Sequence, residues 1–183
     1  MPKIRKNEPV YADVGHFVSA FSMIEALTHM LLRSITGMSD NIARIVFDGM
    51  RINDVDTRIR RLLPLSNFPT DIQGRIIRLL DQLREITKMR KALIHSVGFA
   101  DDGKWHSTNR LTAREYAPFE LTTFEPNAIN SATLDLRAME DEIQEIMQNS
   151  LAGFPVIDYQ RYAWQYKPLS PKNPRPKRPH NQV

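Results

Sequence analysis

Between residues 12 and 36, Phe17, Phe21, Ile24, Thr28, Leu31 and Ile35 recur three and four apart, and Val18, Leu27 and Leu32 widen the same stripe. That spacing predicts an amphipathic helix with one face in a core. Gly37 stops it. Ser39 or Asp40 can cap a short second helix running to about Met50. Asn53 can cap a third, which Pro64 ends near Leu63. Thr70 with Gln73 three residues on is a capping-box signature for a fourth helix. Its stripe is Ile72, Ile76, Leu79, Leu83, Ile86, Arg90 and Leu93. Arg90 stands where the pattern calls for an apolar residue. A charge on a core seam is costly unless it is paired or the seam opens into a cleft.

From Val97 to Pro126 the helical period disappears. Asp101-Asp102-Gly103 is a turn signal between Val97–Ala100 and Lys104–Leu111, and Phe119–Phe124 can add a short strand. A last helix follows at roughly 128–151. Its stripe is Ile129, Ala132, Leu136, Met139, Ile143 and Ile146, and Gly153 ends it. The expected fold is therefore all-α: a four- to five-helix up-and-down bundle over residues 1–154, with a small β-hairpin or loop inserted at about 97–126. The two longest apolar stripes predict that the first helix packs antiparallel to the fourth. Residues 155–183 read as a disordered, basic, Pro-rich tail, with five of the chain's 12 prolines after Asp158.

Composition narrows the chemistry. The chain has 183 residues, 42% of them hydrophobic, and the longest uncharged run in the first helix is the eleven residues Val14–Ile24, too short to span a bilayer. The N-terminus lacks the apolar core of a secretory signal. With no cysteine, there are no disulfides, thiolate metal sites or cysteine nucleophile, and a cytoplasmic location is expected. No metal-ligand spacing and no phosphate-cradling glycine loop is found, so no cofactor is expected. The net charge of +4 is uneven: residues 155–183 carry +5 and the remaining 154 residues carry −1. A basic tail with Trp164 and Tyr166 beside it suits capture of RNA, by charge and by stacking on bases. His106 beside Trp105 can likewise stack on a base or cover the core; His16 and His29 read as ordinary polar positions.

The fourth helix closes on Lys88-Met89-Arg90-Lys91-Ala92-Leu93-Ile94-His95. An arginine, four residues and a histidine at the end of a long helix, after a long first helix bearing Glu25 and two short helices, resembles the HEPN superfamily of small helical bundles. Many of these are metal-independent ribonucleases in toxin–antitoxin and abortive-infection defence. The resemblance spans residues 12–152 in layout and rests on Arg90, His95 and Glu25. It implies RNA as substrate, a homodimer, an antitoxin or other partner protein, and Arg90 and His95 as the catalytic pair. Lys91 stands where the family often has Asn, Asp or His. Its amine can contact phosphate, and Lys88 is a second expected RNA contact. Glu25 can support the site by pairing with Arg90, or can pair locally with His29. Many family members lack nuclease activity, and the alternative reading is a non-catalytic interaction module that binds a nucleotide or a partner protein.

On one ideal helix, positions 90 and 95 lie about 140° apart. Converging them requires an unwound last turn, which Ser96–Gly98 permits, or two copies across a symmetric cleft. His95 would then move a proton and Arg90 would hold the phosphoryl oxygens.

Overall fold

A computed structural model describes residues 2–94, 96–109 and 121–150. In chain order these form α1 (Pro2–Thr36), α2 (Asp40–Phe47), α3 (Ile52–Leu62) with a 3-10 turn at Leu63–Leu65, and α4 (Thr70–Ile94). Strands β1 (Val97–Asp101), β2 (Lys104–Thr108) and β3 (Leu121–Phe124) follow, and α5 (Pro126–Ser150) is the last described element. The architecture is a helical bundle with a small antiparallel sheet before its last helix. The expected stop at Gly153 and the tail from 155 lie outside the described residues.

The stripes are buried as their spacing predicts. Phe17, Phe21, Ile24 and Leu31 of α1, Ile76, Leu83 and Leu93 of α4, and Ile129, Leu136 and Ile146 of α5 form one continuous core. Thr28 shares that core because its hydroxyl donates to the Ile24 carbonyl at 2.7 Å, so the hydroxyl keeps a partner there.

The partnering of the helices differs from expectation. The main partners of α1 are α5 and then α3, not α4. Stripe length does not choose a neighbour, and α4 is instead tied by polar contacts to α5 and α3. Arg75 of α4 binds Glu142 and Glu145 of α5 at 3.0 and 3.1 Å, and Gln82 binds Asp135 at 2.9 Å, which sets α4 antiparallel to α5. Asp56 of α3 accepts from Arg84 at 2.6 Å, and Arg60 reaches Asp81 at 2.7 Å, which sets α3 antiparallel to α4. These carboxylates raise the guanidinium pKa of Arg75, chiefly through the Glu145 and Glu142 hydrogen bonds.

Element ends shift for local reasons. Helix α1 begins at Pro2 rather than 12 and runs through Pro9. A proline in a helix removes one backbone donor and normally ends the pattern. Here tertiary contacts outweigh that cost: Val10 is buried, and the Asn7 side chain donates to the Ala100 carbonyl at 3.0 Å and accepts from the Gly103 amide at 3.3 Å. Gly37, at φ +64°, closes the helix as expected. Helix α2 ends at Phe47, short of Met50, because Gly49 turns the chain at φ +66°. Asn53 lies inside α3, whose cap position is Arg51. Thr70 is the first residue of α4, and the Gln73 amide donates to the Phe68 carbonyl at 2.9 Å instead of closing a capping box.

The expected hairpin is a three-stranded sheet in the order β1-β2-β3. Asp101 pairs with Lys104, leaving Asp102-Gly103 as a two-residue turn with φ +50° and +76°. Positive φ at both positions is the turn geometry that matches strand twist. The Trp105 indole covers the core under this sheet and meets Tyr11 of α1 edge-on at 5.8 Å. Gly98 makes that possible: a Cβ there would stand 2.2 Å from the indole ring.

Candidate functional site

Arg90 comes from the last turns of α4, on the seam that buries Ile86 and Leu93. Its guanidinium carbon stands 4.7 Å from the centre of the Phe21 ring on α1, and that ring is 1% exposed. The seam therefore accommodates the charge by laying the planar cation on an aromatic face, where the ring quadrupole attracts it. Arg90 is half-buried and makes no ion pair with any described residue. Stacking leaves the edge of the guanidinium, with its N–H donors, available to a ligand.

The surrounding expected residues divide. Glu25 lies one helical turn beyond Phe21 on α1 and is half-buried, and it pairs with neither Arg90 nor His29. Its expected role as a supporting partner is thus not met by contact; Phe21 supplies the support instead. Lys88 is exposed and held by Glu85 at 2.7 Å, a local pair three residues apart. Such an exposed pair contributes little and can be exchanged for a phosphate. Lys91 is exposed one residue from Arg90. His95 lies outside the described residues.

The aromatic residues of the sheet also divide. Trp105 is a core residue. Its neighbour His106 lies on the opposite face, stacked on Phe99 at 5.3 Å with its Nδ1 3.0 Å from the Thr123 hydroxyl. The imidazole is thus already engaged on both its face and its edge.

Sequence reasoning read Phe21 only as core. The signal was present in the period, since α1 and α4 both offer their stripes to the core and Arg90 interrupts one of them. It also missed two open clefts flanking the α2–α3 turn. One, of about 650 Å³, is lined by Val46, Met50, Arg58 and Arg61 among others. The other, of about 300 Å³, takes His29 and Met30 from α1 and Arg44 and Phe47 from α2. Neither is lined by Arg90. Among the described residues no group of three or more His, Asp or Glu side chains could hold a metal ion, and no helix is long and apolar enough to cross a membrane. Comparison with protein-family models, with curated proteins and with solved structures finds no match to this chain.

Proposed function

We propose that this chain is a metal-independent endoribonuclease of HEPN type that acts as a homodimer on RNA, in a defence or toxin–antitoxin setting with an antitoxin or other partner protein. The observation that carries the reading is Arg90: a half-buried arginine with no carboxylate partner among the described residues, resting on Phe21, five residues before His95. Half-buried arginines are ordinarily neutralised by acids, as Asp56 and Glu142 do for Arg60 and Arg75 here. One left without an acid supports a role toward an incoming anion.

In this reading His95 takes the proton from a ribose 2′-OH. The 2′-oxygen bonds to the adjacent phosphorus, the bond from phosphorus to the 5′-oxygen breaks, and a protonated imidazole returns a proton to that leaving oxygen. Arg90 holds the two non-bridging oxygens as charge builds on them. The products are a 2′,3′-cyclic phosphate and a 5′-hydroxyl. Lys88 and Lys91 draw the backbone toward the site.

The second reading, a non-catalytic module that binds a nucleotide or partner protein through the same residues, is favoured by Lys91, which cannot accept a hydrogen bond to orient a histidine. The experiment is cleavage of an end-labelled RNA pool by wild type, Arg90→Ala and His95→Ala, with product ends identified. Each substitution is expected to lower the rate about 10²–10⁴-fold, with the wild-type rate indifferent to EDTA. Wild-type protein that cleaves no RNA, yet loses ligand binding on the same substitutions, selects the second reading. Full activity in the double variant overturns the site.

A further inference from the structure

The cleft between α1 and α2 combines an apolar floor with a cationic mouth. His29 and Arg33 lie one helical turn apart on α1, and Arg44 reaches the same cleft from α2. Met30 of α1 with Ala43 and Phe47 of α2 completes the lining. Ala43 and Phe47 are buried, His29, Met30 and Arg33 are half-buried, and Arg44 is exposed. The apolar groups therefore lie deepest and the nitrogen donors stand toward solvent. At one end the chain turns away at Gly49, where a side chain would meet nothing within 4 Å, so that end stays open. The volume of about 300 Å³ lies at the lower end of the range for small-molecule sites.

Charge separates this cleft from two others of the fold. The α2–α3 cleft sets Arg58 and Arg61 against Asp48 and Asp54, and the α4–α5 cleft sets Arg78 against Asp135 and Glu142. The α1–α2 cleft sets Arg33 and Arg44 against Asp48 alone and adds the His29 imidazole. His29 and Arg44 make no hydrogen bond or ion pair from their side chains to any described residue. Cations gathered at the mouth of an apolar cleft focus their field and draw an anion. A guanidinium fork fits a phosphate or a carboxylate. An inorganic anion would leave the floor unused, and a neutral apolar molecule would leave the donors unused. The occupant that uses both is an anion with an apolar body.

We propose that the α1–α2 cleft is a binding site for a small organic anion. Its phosphate or carboxylate is held by Arg44, Arg33 and His29, and its ring or short chain rests on Met30 and Phe47. No residue of this site belongs to the Arg90–Phe21 pair, and the inference does not depend on catalysis.

The test is amide-shift mapping by NMR on the full chain with phenyl phosphate, benzoate, inorganic phosphate and phenol. Phenyl phosphate, benzoate or both are expected to bind with a Kd of roughly 1 mM, as suits so small a ligand, and to move the amides of residues 29–33 and 43–49. The tighter of the two identifies the acid group. Inorganic phosphate and phenol, each only part of the probe, are expected to bind at least about tenfold more weakly. Arg44→Glu reverses a charge at an exposed position and is expected to weaken binding at least about tenfold, with an unchanged circular dichroism spectrum. Arg137→Glu, at an exposed position on α5 outside the cleft, is expected to bind as wild type does. Inorganic phosphate that binds as tightly as phenyl phosphate would reduce the site to bare charge attraction and overturn the proposal. So would shifts gathered around Arg90 instead, wild-type affinity in Arg44→Glu, or no shift from either organic acid at about 20 mM. The mapping needs no RNA cleavage, so failure of this site is distinguishable from failure of the nuclease reading.

Discussion

Arg90 stands over Phe21, joining the end of α4 to the middle of α1 through a cation and a ring 4.7 Å apart. The stacking holds the guanidinium without using the donors on its edge. A carboxylate partner would have occupied those donors. The interaction contributes about 0.5–2 kcal/mol, rising as water is excluded.

Arg90→Lys therefore separates charge from shape. The lysine keeps the positive charge but has neither the planar fork nor the stacking surface. The melting temperature is expected to change by a few degrees at most, while RNA cleavage falls at least about tenfold, the equivalent of roughly 1.4 kcal/mol in the transition state. Phe21→Leu is expected to lower both, since it also removes core volume. An Arg90→Lys enzyme with wild-type kinetics would show that charge alone suffices.

Gly98→Ala should destabilise the sheet. The added methyl would meet the Trp105 ring at 2.2 Å, and an indole wedged against Tyr11 and the core has little room to retreat. Overpacking of this kind costs about 1–3 kcal/mol, or a fall in Tm of roughly 2–12 °C for a domain of this length. Thermal unfolding measures it, and the tryptophan emission should move as the ring is displaced. An unchanged Tm would mean that the strand slides freely over the indole.

Asn7→Ala should uncouple the start of α1 from the β1–β2 turn. The substitution removes two hydrogen bonds, to the Ala100 carbonyl and from the Gly103 amide. Each contributes about 0.5–1.5 kcal/mol. The effect is expected to be local: faster amide exchange over residues 2–10 and 97–108, with α4 and α5 unaffected. Uniform protection across the variant would place the anchor of α1 elsewhere.

Removing residues 167–183 takes five of the tail's six basic residues and should leave the helical circular dichroism unchanged. RNA affinity should fall. The slope of log affinity against log salt should flatten by about 0.7 for each single-strand phosphate that the shortened chain no longer neutralises. An identical slope would make the tail a bystander.

The helices were legible because their burial is written in a period of three and four. Ile129 to Ile146 and Phe17 to Leu31 need only one-dimensional spacing to declare an inner face. The two-residue turn at Asp102-Gly103 was legible for a similar reason, since positive φ at consecutive positions restricts the residues that fit. The candidate motif was legible as an interruption, Arg90 in an apolar series.

Other features depended on what meets what across the fold. The start of α1 was hidden because Pro9 signals a break, and only the distant Asn7 hydrogen bonds and the burial of Val10 make a helix there worthwhile. The preference of α1 for α5 and α3 over α4, and the Arg75 and Gln82 contacts that tie α4 to α5, are relations between elements that a stripe does not encode. Phe21 under Arg90 is a relation between elements far apart in the chain. By itself the sequence determined which faces turn inward, since that depends on neighbours three or four residues away. The tertiary structure alone decided which inward face met which, and which outward groups were left without partners.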